Sequence, residues 1–237
     1  MNLAQKTKCG RCRYLCPVKS ILDIKLILTI AVFLLWHCSS FAQDTVKVQE
    51  LTKRAEVDME SGNTYGAIKL HLDIMDLDAN NYQSANTLSG LYGNLHQYND
   101  QITWAKKAIE INPRLAMAYI SLGNGYGATG DLQNAEDCYR KADQLDPKSP
   151  IPPYCIGVIE ESRGDTKGAI ANYQRSIDRD SLFVSGYCSL AVAYAKTEDY
   201  TSAQKYIDKA LPIDPKSSRA QEIKGHIREN ITTKPQH

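Results

Sequence analysis

One pattern constrains this chain more than any other: the stretch GATGDLQNAEDCYRKADQLDP, Gly127 to Pro147, recurs at a fixed spacing. Framed in units of 34 residues beginning at 48, 82, 116, 150 and 184, the chain repeats one set of residue types without an insertion. Unit three carries Tyr119, Leu122, Gly123, Tyr126, Gly130, Asp131, Ala135, Tyr139, Ala142, Leu145, Asp146 and Pro147. Unit five answers with Tyr187, Leu190, Ala191, Tyr194, Asp199, Ala203, Ile207, Ala210, Ile213, Asp214 and Pro215. Unit four keeps Gly157, Gly164, Asp165, Ala169, Tyr173 and Ile177, and unit two keeps Leu88, Ser89, Tyr92, Ala108, Asn112 and Pro113. Unit one is faint at its front and clear at its back, with Ala55, Gly62, Ala67, Leu77 and Asp78.

Within each half-unit the apolar residues fall three and four apart, which makes each half an amphipathic helix. Small residues (Gly123, Gly157, Ala191 on the first helix; Ala135, Ala169, Ala203 on the second) stand where two helices must approach closely. The Gly-Asp pair between the halves supplies a turn, because glycine takes a positive φ without penalty. Pro113, Pro147 and Pro215 are expected to stop the second helices. A period of this length, repeated in tandem, is the signature of stacked helical hairpins.

The pattern resembles the tetratricopeptide repeat over residues 48–217. The resemblance implies an all-α fold: a right-handed α-solenoid of about five 34-residue helix-turn-helix repeats (48–81, 82–115, 116–149, 150–183, 184–217) after a short linker, 43–47. Residues 217–230 have helical spacing at Ala220, Ile223 and Ile227 and read as a polar cap over the last repeat, with a short tail completing 218–237. Two units depart from the pattern. Unit four has Pro153 at a large first-helix position and Glu160 in place of tyrosine; unit two has Gln101 and Ala105 at the second helix's small and large positions. Looser packing is expected at both.

The resemblance also implies where a ligand would lie, along the concave face of the first helices. The residues mapped there as partner contacts are Asn86, Met117, Ile120, Asn124, Tyr154, Val158, Cys188 and Val192. Family members that grip C-terminal carboxylates pair Lys and Arg with Asn on that face. Here Asn86 and Asn124 remain on that face without the basic partners, so the expected partner is a protein or peptide held by apolar anchors and amides.

Residues 1–42 differ in kind. They hold six Lys/Arg and one acid, whereas 43–237 hold 22 basic and 26 acidic residues, a net of −4. No clustered basic surface in the body points to nucleic acid. Leu26 to Trp36 is an apolar run without a charge, interrupted only by Thr29, preceded by basic residues and followed by Ser40-Phe41-Ala42. This is the layout of an export signal cleaved before Gln43, placing the mature chain in a periplasm or outside the cell. Retention of 26–36 as an anchor is one alternative, and lipidation at Cys38 another, although His37 departs from the lipoprotein pattern. Cys9, Cys12 and Cys16 are similar to the tail of an iron–sulfur run that lacks its first ligand, and they read as chance cysteines of the leader.

No chemistry emerges from the remainder. None of the five histidines has metal-ligand spacing, and the glycines of Gly123–Gly130 lack the Lys-Ser/Thr of a phosphate loop. The expectation is a non-enzymatic chain with no cofactor and no metal. Cys138, Cys155 and Cys188 lie in three separate units and read as packing residues, with a Cys155–Cys188 disulfide as the alternative.

Overall fold

A computed structural model describes residues 43–233, with side chains to 231. The leader expected at 1–42, its four cysteines and the tail beyond 233 lie outside the described residues. The chain divides into two compact units, 1–50 and 51–237, and the account below concerns the second.

Eleven helices and no strand occur among the described residues. They are α1 (43–60), α2 (Thr64–Leu77), α3 (Tyr82–Asn94), α4 (Tyr98–Ile111), α5 (Ala116–Ala128) and α6 (Leu132–Leu145). There follow α7 (Ile151–Ser162), α8 (Thr166–Arg179), α9 (Val184–Lys196), α10 (Tyr200–Ile213) and α11 (Ser218–Thr233). The hairpins α3–α4, α5–α6, α7–α8 and α9–α10 follow one another in order, and each joins the next through α4–α5, α6–α7 and α8–α9. Two further pairings link non-consecutive helices, α3 with α5 and α9 with α11.

The hairpin turn is a backbone device. The second of its three residues takes a left-handed conformation in every unit: Gly62 (φ 78°), Gly130 (86°) and Gly164 (83°), but also His96 (59°) and Glu198 (63°). Asn63, Asp131, Asp165 and Asp199 then cap the second helix, each side chain accepting from the N–H three residues on. Gln97 stands at that position in unit two and makes no side-chain cap.

The second helices stop by a different device than proline. Asp78, Asn112, Asp146, Asp180 and Asp214 are all extended, and each accepts at Oδ1 from the backbone N–H two residues on, at 2.9–3.2 Å. Proline follows only three of them. The acid or amide turn therefore ends the helix by itself, and proline merely agrees with the extended backbone before it.

Inside the α5–α6 and α7–α8 hairpins a small first-helix residue faces a large second-helix one. A Cβ on Gly123 would sit 2.6 Å from the Tyr139 ring, and one on Gly157 would sit 2.8 Å from Tyr173. Where the sequence suggests loosened packing, the structure shows exchanged volumes. Gln101 is 5% exposed: its Nε2 donates to the Ser121 carbonyl of α5 at 2.9 Å, its own carbonyl accepts from Ser89 Oγ at 3.0 Å, and Gly93 makes room for it. Ala105 is fully buried beside it. In unit four Pro152 and Pro153 are fully buried in the first turn of α7, where a helix needs no N–H donor. Glu160 accepts from Asn172 Nδ2 of α8 at 2.7 Å, so a polar clasp replaces the missing tyrosine.

Candidate functional site

The first helices α3, α5, α7 and α9 carry the residues singled out as partner contacts. Between α5 and α7 lies a cleft of about 450 Å³. Asn124, Tyr139, Tyr154, Cys155, Val158 and Ile159 line it, so three of the eight expected residues come together there.

Two of the three are held by their surroundings, and the third is left in water. Tyr139 of α6 donates its hydroxyl to Asn124 Oδ1 at 2.8 Å, which fixes the carboxamide and leaves its amide hydrogens for another acceptor. Tyr154 is wedged edge-on against Phe183 (ring centroids 5.3 Å apart) and tilted against Tyr173 (5.7 Å). Val158 sits on an exposed stripe of α7 and is 44% exposed. Met117, the second residue of α5, is 49% exposed. Apolar side chains left in water on a rigid pair of helices mark a place where burial against a partner would be favourable.

The other expected contacts are distributed differently. Val192 is half-buried. Asn86 is half-buried as well, and its Oδ1 is enclosed without a hydrogen-bond partner. Ile120 is only 4% exposed and Cys188 is wholly buried, so both pack in the interior and offer no surface to a ligand. Cys188 is covered because α11 lies against α9, a contact outside the repeat pattern. Ile120 belongs to a helix that packs directly on α3 as well as on its neighbours in sequence.

One residue of this face escaped the sequence reading. Arg219, in the first turn of α11, donates Nη2 to Ser189 Oγ at 3.3 Å and lies beside Tyr154. It was hidden because it follows the last repeat, where a search confined to repeat positions does not look. Its signal is its place as the first basic residue of the cap helix.

The cleft holds no group poised for covalent or proton-transfer chemistry. Burial pushes the Cys155 thiol up to about 12 and the Cys138 thiol up to about 11, so neither is a thiolate at neutral pH. Burial likewise drives the Tyr139 hydroxyl well above its ordinary range. The three body cysteines are free thiols, and the Cys155–Cys188 disulfide is not formed. Among the described residues no group of His, Cys, Asp and Glu is placed to hold a metal ion. No helix among them is long and apolar enough to cross a membrane.

Comparison with known proteins agrees with this architecture. Residues 116–149 match the tetratricopeptide repeat, and residues 189–234 match the Fis1 C-terminal tetratricopeptide repeat. Stress-induced-phosphoprotein 1 of Caenorhabditis elegans is 27% identical over 207 residues, spanning 77% of this chain and 62% of that protein's length. The crystal structure of MamA superposes with a TM-score of 0.59 at 27% identity, covering 70% of this chain and 96% of that one. PilF of Pseudomonas aeruginosa has a TM-score of 0.70 at 14% identity, covering 80% and 86%, a likeness of fold alone. The chain carries tetratricopeptide repeats in an all-α array, and repeats of this kind generally mediate contacts between proteins.

Proposed function

We propose that this chain is an exported, non-enzymatic interaction scaffold that receives a peptide or partner segment in the cleft between α5 and α7. The observation that carries the reading is the cleft itself. Its walls are mostly apolar, Val158 is left in water at its edge, and Asn124 is locked with amide donors to spare. An extended segment could bury an apolar side chain there and give a backbone carbonyl to Asn124. A scaffold of helices that contact mainly their neighbours suits this work, because the spacing of the first helices is fixed before anything binds.

Export is supported by the basic, apolar and small-residue order of 1–42. A second reading rests on the same apolar run, Leu26 to Trp36. Retained, it would tie the repeats to a membrane as an accessory factor of an envelope complex. The mass of the mature chain separates the two: a first residue of Gln43 supports export with cleavage, and an intact head supports anchoring.

The cleft is tested by affinity capture on the immobilised full chain beside its Val158→Asp variant. Val158 is exposed, so the substitution leaves folding intact while placing a charge in the apolar wall. Loss of a partner retained by the wild type is the expected result. Equal recovery of that partner by both proteins would move the binding site elsewhere.

A further inference from the structure

A second concavity lies among the second helices. The end of α2, the turn after it and α4 enclose a groove of about 760 Å³. Met75, Asp76 and Ala79 line it on one side, and Trp104, Lys107 and Glu110 on the other. Trp104 is half-buried against the core that includes Ala67 and Ala108. The repeat explains why the groove is open. Two periods on, the places of Met75, Lys107 and Ile111 are taken by Asp143, Arg175 and Arg179. There both arginines of α8 reach across the seam onto the α6 carboxylate. At the α2–α4 seam Met75 offers no carboxylate and Ile111 no cation, and Lys107 turns to Glu110 of its own helix at 3.1 Å. The clasp is missing and the groove stands open.

The charges left over favour one kind of ligand. Asp76 is exposed and has no hydrogen-bond or ion-pair partner among the described residues. Asp76 and Glu110 both stand in the last turn of their helices, where neither helix has a basic residue. The carbonyls of a last turn already present negative charge, so an acid there is unfavourable alone and a cation beside it is doubly favourable. Lys106 also lines the groove, but its Nζ sits over the Tyr126 ring, 5.5 Å from the centroid. Both lysines are thus engaged, and the uncommitted charge of the groove is a carboxylate beside an indole and a thioether. A guanidinium suits such a set: its plane stacks on an aromatic ring while its edge pairs with a carboxylate.

We propose that this groove is a second binding site, and that it receives an arginine side chain on a segment of a partner protein. The guanidinium does at the α2–α4 seam what Arg175 and Arg179 do at the α6–α8 seam. Its edge bonds Asp76, its plane lies on Trp104, and its methylenes cover Met75. The groove has room for an apolar neighbour of that arginine as well. The precedent within the array is a protein side chain, so the occupant is a protein segment and not a free cation. The site does not rest on the α5–α7 cleft, with which it shares no lining residue.

Trp104 supplies the readout. The full chain has two tryptophans, and Trp36→Phe leaves Trp104 as the sole source of indole emission. The probes are short acetylated, amidated Gly/Ser peptides with a central Leu-Xaa-Leu, where Xaa is arginine, citrulline, lysine or glutamate. Citrulline keeps the shape of arginine and removes its charge. The arginine peptide is expected to change Trp104 emission saturably and to bind about fivefold tighter than the citrulline peptide, the upper end for an exposed ion pair. Asp76→Asn should abolish that margin without moving the thermal melt, since Asp76 is exposed and unpaired. Val158→Asp should leave the margin intact. Equal binding of arginine and citrulline overturns the proposal, as does a margin that survives Asp76→Asn or a preference for glutamate. Lysine bound as tightly as arginine overturns the guanidinium assignment. Free arginine amide bound as tightly as the peptide assigns the groove to a small cation and overturns the partner segment. Binding lost on Val158→Asp places the peptide in the α5–α7 cleft, which ends this proposal and supports that one. No emission change with any peptide refutes the groove and leaves the cleft standing.

Discussion

At the scale of the residue, two kinds of glycine are required for unrelated reasons. Gly130 has open space around it and a φ of 86°. Gly130→Ala is expected to cost about 1 kcal/mol from backbone strain alone. Gly123 is helical, but a Cβ there would strike the Tyr139 ring, and Gly123→Ala is expected to cost about 2 kcal/mol through overpacking. Combining Gly123→Ala with Tyr139→Leu should recover part of that loss, whereas Gly130→Ala should add to Tyr139→Leu independently. Denaturant melts measure both. His96 occupies the left-handed position without glycine's freedom, and its one side-chain bond, Nδ1 to the Tyr98 hydroxyl at 2.9 Å, is exposed. His96→Gly is therefore expected to stabilise the chain by about 1 kcal/mol. His71 makes a pH prediction. Burial lowers its pKa, an effect the Glu56 carboxylate only partly opposes, and its Nδ1 meets the buried Ser84 hydroxyl at 3.1 Å. A depressed histidine is neutral in the folded state, so its contribution is complete above the unfolded value of about 6.5 and is lost as pH falls below it. Stability should decline from pH 7 toward pH 5, and His71→Leu should flatten that decline. A slope unchanged in the variant would assign the effect to other groups.

At the scale of the element, the seam between α6 and the hairpin α7–α8 is the most heavily ion-paired. Glu136 is held below its ordinary carboxylate value by its hydrogen bonds to Arg140 and Arg163. Burial raises Asp143, but hydrogen bonds from Arg179 and Arg175 outweigh it and leave it low. Depressed carboxylates stabilise the fold above their unfolded values, about 4, and release that contribution as pH drops through the folded ones. Acid should therefore open this seam, and Glu136→Gln should lessen the acid sensitivity while costing about 1 kcal/mol at neutral pH, since both arginines are well solvated. Tyr173 shows the apolar counterpart: it is fully buried, and Tyr173→Ala is expected to cost roughly 3–5 kcal/mol. The helices and hairpin turns were legible because the apolar spacing, the Gly-Asp pair and the small residues each act within a few positions; the helix stops were assigned to proline, whereas the Asp or Asn just before it makes them. Gln101 and Glu160 read as faults because their compensations, Gly93 with Ser121 and Asn172, come from other helices.

At the scale of the array, the cleft was half legible. Asn124 and Val158 hold equivalent places on neighbouring repeats, with Tyr154 one turn before Val158, and a fixed period brings such places together. Cys188 occupies the place of Tyr154 one period on, yet it is buried where α11, read only as a polar cap, packs on α9. Arg219 was missed for the same reason. The exchanged volumes at the α4–α5 joint have one more consequence. Gln101 reaches the Ser121 carbonyl there, and Gly125 leaves space for Ile102. That junction is keyed, a lock cut for a single pair of units. Shuffling whole modules should be tolerated at junctions without such a key, and refused between the second and third.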